Sequence, residues 1–227
     1  FDELIPARTI KGKELKKRFT RDGVGVPLVA WWKYTDERKK SEPFLPESGY
    51  VTPVTATLEF RDAGKGLRSA VLVLHDPRVS ESVRLAGASH PLAADLSAAG
   101  EYVLVMKGGM SALGALIRSD ENLDKLGLIS LERPAKDRIP VILVHGLMSK
   151  PKTWQNVFNE LGADPVIQKR YQLYFFRYPS GVPVLYSAAK MREQMVVLHK
   201  ELERAGGNRT YAHHMVLMGH SMGGLVA

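Results

Sequence analysis

The sequence contains no cysteine. That excludes a disulfide framework, a cysteine-ligated zinc or iron–sulfur centre, and a thiol nucleophile. It leaves the compartment open, because disulfide-free proteins live in the cytosol and the periplasm alike. No apolar run approaches the roughly 18 consecutive residues that a membrane-spanning helix needs. A glycine-rich phosphate loop and a His-Glu-x-x-His helix are also missing. The adjacent His213 and His214 would point to opposite faces of a strand, which suits no single metal. Neither a metal nor a cofactor is expected.

What is present reads as a folded globular chain. Of its 227 residues 44% are hydrophobic and 25% charged, which excludes disordered and collagenous classes. The net charge of +8 invites a nucleic-acid partner. No zinc-finger, RNA-recognition or helix-turn-helix signature accompanies it, so none is expected. Basic residues are densest over 11–21, with Lys11, Lys13, Lys16, Lys17, Arg18 and Arg21. This run reads as a solvated helix face, with attraction to an anionic membrane surface as the functional alternative.

The hydrophobic rhythm divides the chain into three. Residues 1–50 form a basic arm and an apolar strand at Val26–Trp32. Residues 51–137 form a β-rich region and linker with period-two alternation. Val54, Ala56, Leu58 and Phe60 mark one face, and further strands are expected at Ala70–His75, Val83–Leu85 and Tyr102–Met106. A short helix fits within Gly108–Leu126 and a strand at Gly127–Leu131. From residue 138 the pattern becomes strand–helix–strand. Val141–Val144 is a continuous apolar run of the kind buried in parallel sheets. Trp154, Val157, Phe158 and Leu161 share one helix face, Leu173–Tyr178 is a second strand, Leu185–Ala205 a longer helix, and Met215–Met218 a third strand. The fold class is therefore α/β with a parallel sheet, preceded by a small β-rich region.

Gly219-His-Ser-Met-Gly223 follows that third strand and precedes an apolar segment. This is the context of a G-x-S-x-G nucleophile elbow. A serine at the apex of a tight strand-to-helix turn is held in a strained conformation that lifts its hydroxyl clear of the sheet. Side chains two residues to either side would collide, which accounts for Gly219 and Gly223. Ser221 is the candidate nucleophile, with His220 and Gly224 as further members of the turn. The Met222 N–H, at the helix start, is one candidate donor to an oxyanion. The other is the Leu147 N–H in the loop His145-Gly146-Leu147 after the first parallel strand. There Gly146 lets the backbone turn and His145 steadies it. Ser111, in Gly109-Met-Ser-Ala-Leu113, lacks the second glycine and reads as a loop or cap residue.

With these motifs, residues 138–227 resemble the first half of an α/β-hydrolase of the esterase/lipase branch, with a His-Gly oxyanion loop. The run HGL…W…FRYPSG…GHSMGG also resembles bacterial α/β-hydrolases of the cell envelope. The resemblance implies a serine hydrolase that cleaves carboxylic esters, small or lipid-like, through an acyl-enzyme on Ser221. It favours a periplasmic or cell-envelope location with possible membrane-surface association. An acyltransferase, or a non-catalytic interaction protein on a hydrolase fold, is the alternative. In the family the acid and histidine of the triad follow the serine. Only six residues follow Ser221, and none is acidic or histidine. The triad's acid and base are thus expected outside this chain, in a continuation on the order of 100–200 residues.

Overall fold

The computed structural model describes residues 1–12, 15–62, 68–85, 87–105, 126–147, 152–179, 181–206 and 213–227, without the side chains of 61, 62, 68, 152 and 153. Two four-stranded sheets organise it. The first is antiparallel in the order β1-β3-β4-β5: β1 Glu3–Pro6, β3 Val26–Trp32, β4 Tyr50–Asp62 and β5 Arg68–His75. Residues 1–50 are therefore no separate arm: two of their strands complete the sheet that residues 51–75 continue.

The face of β4 that enters the core is the opposite of the one its alternation suggests. Leu58 and Phe60 are 50% and 73% exposed, whereas Val51, Thr55 and Thr57 are buried. Burial of the threonines is tolerated because both hydroxyls are bonded. Thr55 Oγ1 donates to the Ala93 carbonyl at 2.6 Å, and Thr57 Oγ1 lies 2.8 Å from His75 Nε2.

Short pairs follow: β2 Thr20–Arg21 with β8 Ala94–Asp95, and β6 Ser82–Leu85 with β7 Ala88–Pro91. Of the strand expected at Tyr102–Met106, the described part, Tyr102–Val105, is instead the end of helix α2, Ala98–Val105. Asp95 Oδ1 accepts the Ala98 N–H at 3.0 Å and starts it. A short apolar run does not by itself distinguish helix from strand. Gly100 lets α2 approach another helix, since a Cβ there would stand 3.1 Å from Phe158. The helix expected within Gly108–Leu126, and Ser111, lie outside the described residues.

Among the described residues the basic run 11–21 forms no helix. Arg18 stays partly exposed but is ion-paired rather than free in solvent. It binds Asp95 at 2.6 Å and Glu101 at 3.1 Å, and it donates to the carbonyls of Ala7 and Ile10.

The second sheet has the order β12-β10-β11-β9: β9 Gly127–Ser130, β10 Ile139–Val144, β11 Tyr171–Arg177 and β12 Val216–Gly219. β10 pairs in parallel with β11 and β12, and β9 is an antiparallel edge on β11. Past Ile139 and Tyr171, β10 and β11 are wholly buried, as expected of parallel strands covered on both faces. Helix α3, Lys152–Ala163, brings Trp154 onto the face of Val141, Leu143, Leu173 and Phe175, together with α2 and Val29 of the first sheet. After the short α4, Pro165–Arg170, and strand β11, helix α5, Val184–Arg204, covers the other face. Its Ala188, Met191, Leu198 and Leu202 pack on Ile142, Val144, Tyr174 and Phe176. Arg78, buried between Asp76 and Glu132, ties the two sheets together. The protein is thus an α/β structure joined to an antiparallel sheet. No helix among the described residues is long and apolar enough to cross a membrane.

Candidate functional site

From β10 the chain passes through α3 and α4 to β11 on one side, and returns through α5 to β12 on the other. Such a reversal opens a crevice at the carboxyl ends of the strands, where ligands of open α/β sheets bind. The loop after β10 and the loop after β12 meet at that place. They carry His145-Gly146-Leu147 and His220-Ser221-Met222.

Ser221 is the one non-glycine residue with positive φ among the described residues, at 54°. The left-handed region is costly for a residue with a Cβ and persists only where the surroundings enforce it. Here the enforcement comes from both sides. The His220 N–H continues the β10–β12 ladder by donating to Val144 O at 3.0 Å. Helix α6, Gly223–Val226, begins two residues after Ser221. A Cβ on Gly219 would lie 2.6 Å from the Gly223 carbonyl, and one on Gly223 would lie 2.2 Å from Val144 O. Both glycines are needed by the turn. Gly224 is not, since a Cβ there would meet nothing within 4 Å.

The N–H groups of Gly223 and Gly224 donate to the carbonyls of His220 and Ser221, at 2.9 and 2.8 Å. The Met222 N–H stands ahead of this ladder at the positive end of the helix. Ser221 itself is exposed, as is His220, while Met222 is half-buried.

Gly146 is where the two loops touch. A Cβ on it would stand 2.8 Å from His220 O and 2.9 Å from Ser221 Cβ. The fold therefore brings 145–147 against the elbow across 75 residues of chain. His145 is 4% exposed and stacks on Tyr178, ring centroids 4.4 Å apart. Its Nδ1 lies 3.0 Å from the Gly146 carbonyl, which can only accept, so Nδ1 carries the proton. Tyr178 Oη donates to the His145 carbonyl at 2.6 Å, and burial pushes its hydroxyl up to about 12. Tyr178 is thus a clamp on this loop. The sequence carries it inside the Phe-Arg-Tyr-Pro-Ser-Gly run, but nothing local reveals its partner. Leu147 is 55% exposed beside the site.

Histidines 75, 90, 199, 213 and 214 are not brought to Ser221 by any hydrogen bond among the described residues. His75 bonds Thr57, and the His199 ring lies 4.6 Å from that of His213. No group of three or more potential metal-binding side chains exists among the described residues. A small cavity of about 30 Å³, lined by Arg78, Glu132, Gln155 and Phe158 among others, contains none of the site residues. No family model, curated protein or solved structure matches the chain.

Proposed function

We propose that residues 138–227 are the first half of an α/β-hydrolase domain, and that the protein is a serine hydrolase of carboxylic esters. The observation that carries this reading is the backbone of Ser221, held at φ 54° between the parallel strand β12 and a helix start. A serine kept in such a conformation, exposed at the crevice of an α/β sheet, fits the requirements of a nucleophile. Ser221 Oγ attacks the ester carbonyl as a histidine base takes its proton, and the alcohol leaves to give an acyl-enzyme. Water then releases the acid with help from the same base. The developing oxyanion rests on the N–H groups of Leu147 and Met222. The base and the acid that orients it are assigned to residues outside the described structure.

Exposed apolar side chains at the same end of the sheet favour an apolar ester, small or lipid-like. Leu147 is 55% exposed and Leu185, at the start of α5, 84%. The test is a fluorophosphonate probe on the full polypeptide, with the modified residue identified by peptide mass spectrometry. Label confined to Ser221, together with turnover of short-chain aryl esters, supports the reading. Label elsewhere, or turnover retained by Ser221→Ala, removes it. Partition of the acyl group to an added alcohol rather than to water would place the enzyme among acyltransferases.

A further inference from the structure

Arg177, the last residue of β11, is 8% exposed. Among the described residues its guanidinium enters no ion pair, and the buried Nε has no hydrogen-bond partner. The other deeply buried guanidinium among them, Arg78, has Asp76 and Glu132. Enclosing a guanidinium without a counter-charge is among the costliest arrangements a fold can hold. A second cation stands near it. Lys39 of α1, Asp36–Ser41, is half-buried and donates to the carbonyls of Pro43 and Leu45 at 2.7 and 2.9 Å. Burial pushes the Lys39 ammonium down, and the Arg177 charge adds to that effect. The carboxylate whose field reaches both is Glu47, which is itself exposed.

The register fixes where this cation lies. Phe176 pairs with Val144, and Val144 with Gly219. One residue further on, Arg177 falls in the row of His145 and His220. Two strand spacings, about 10 Å, separate its backbone from the elbow. Its backbone therefore stands at the same end of the sheet as Ser221, two strands away.

We infer that Arg177, with Lys39 near it, is a binding site for an anionic ligand group, a phosphate or a carboxylate. The planar guanidinium suits either group through paired N–H donors. The anion supplies the direct ionic partner that no described residue gives Arg177. This site stands apart from the serine chemistry, because its evidence is a buried cation with no ion pair among the described residues.

The experiment is thermal unfolding of the full chain in sodium phosphate, sodium succinate and sodium chloride at matched ionic strength. Phosphate or succinate should raise the melting temperature above the chloride value, by on the order of 5 °C at some tens of times its Kd. A rise with phosphate alone assigns a phosphoryl group, and with succinate alone a carboxylate. Arg177→Met should lose the rise while melting no lower than the parent protein in chloride, since it removes an unpaired buried charge. Arg177→Lys should keep part of the rise. The site is refuted if neither anion stabilises the parent protein or if Arg177→Met responds to it equally. A large loss of stability in chloride for Arg177→Met would also refute it, by showing the charge to be already compensated. None of these outcomes depends on ester turnover, so failure here is distinct from failure of the hydrolase reading.

Discussion

Gly146 packs so closely on Ser221 that a methyl group at its Cα would stand 2.9 Å from Ser221 Cβ and 2.8 Å from the His220 carbonyl. The neighbour in the second case is backbone and cannot swing aside. Gly146→Ala must therefore push loop 145–147 away from the elbow. A displacement near 1 Å costs roughly 10²-fold in rate. Steady-state kinetics with an aryl ester should show that loss in kcat with little change in KM. Unchanged kcat would mean that the loop is not part of the catalytic geometry.

Ser221 stores strain that its hydroxyl justifies. Replacing it by glycine removes the Cβ that makes φ 54° costly. Against this stands the entropy that glycine loses on folding. Ser221→Gly should be more stable than the parent by up to about 1 kcal/mol, a rise of about 2–4 °C in Tm, while Ser221→Ala should gain nothing. Both should lose on the order of 10⁴- to 10⁶-fold in kcat. Calorimetry beside the kinetics checks the pair, and a glycine variant that melts lower would contradict the strain argument.

Leu147 separates backbone from side chain. Leu147→Pro deletes the N–H assigned to the oxyanion and should reduce kcat by roughly 10²–10³, about 3–4 kcal/mol. Leu147→Ala keeps the N–H. Its side chain is more than half exposed, so stability should hardly change and any effect should fall on KM. Equal damage from the two variants would transfer the role to the side chain.

The two adjacent glycines of α6 should behave in opposite ways. A methyl on Gly223 meets the Val144 and His145 carbonyls at 2.2 and 2.6 Å, whereas one on Gly224 meets nothing. Gly223→Ala should destabilise by about 3 kcal/mol or more, in the upper range for overpacking. Gly224→Ala should be neutral or stabilise by up to about 1 kcal/mol through helix propensity. Urea titration of both variants distinguishes them.

Tyr178 makes the clamp on His145 sensitive to alkali. Burial raises its hydroxyl from the ordinary value near 10 to about 12 in the folded chain. The folded state then holds a proton that the unfolded state has released, so stability falls with rising pH in that window. Its contribution is complete below about pH 10 and lost as pH rises through 12. Tyr50 and Tyr174, also buried and raised, act in the same direction. Tyr178→Phe should destabilise by about 1–3 kcal/mol at neutral pH, because the His145 carbonyl loses its donor. Its melting temperature should also fall less steeply than that of the parent above pH 10.

The parts readable in the sequence are those whose physics is local. The elbow needs two glycines because clashes arise within five residues, and the apolar runs of β10 and β11 announce burial on both faces. The three parallel strands and helices α3 and α5 follow from the same short-range patterns. Other features were settled by partners distant in the chain. β4 turns its threonines inward because the Ala93 carbonyl and the His75 ring hydrogen-bond their hydroxyls, leaving Leu58 and Phe60 in solvent. The apolar run ending at Val105 became a helix because Asp95 caps it. Arg18 is ion-paired because the fold brings Asp95 and Glu101 to it. The approach of Gly146 to Ser221, the Tyr178 clamp and the lone charge of Arg177 exist only once β10, β11 and β12 lie side by side. A sequence specifies each residue's own stereochemistry and polarity, but a contact between residues 75 apart depends on strand order, which no local pattern contains.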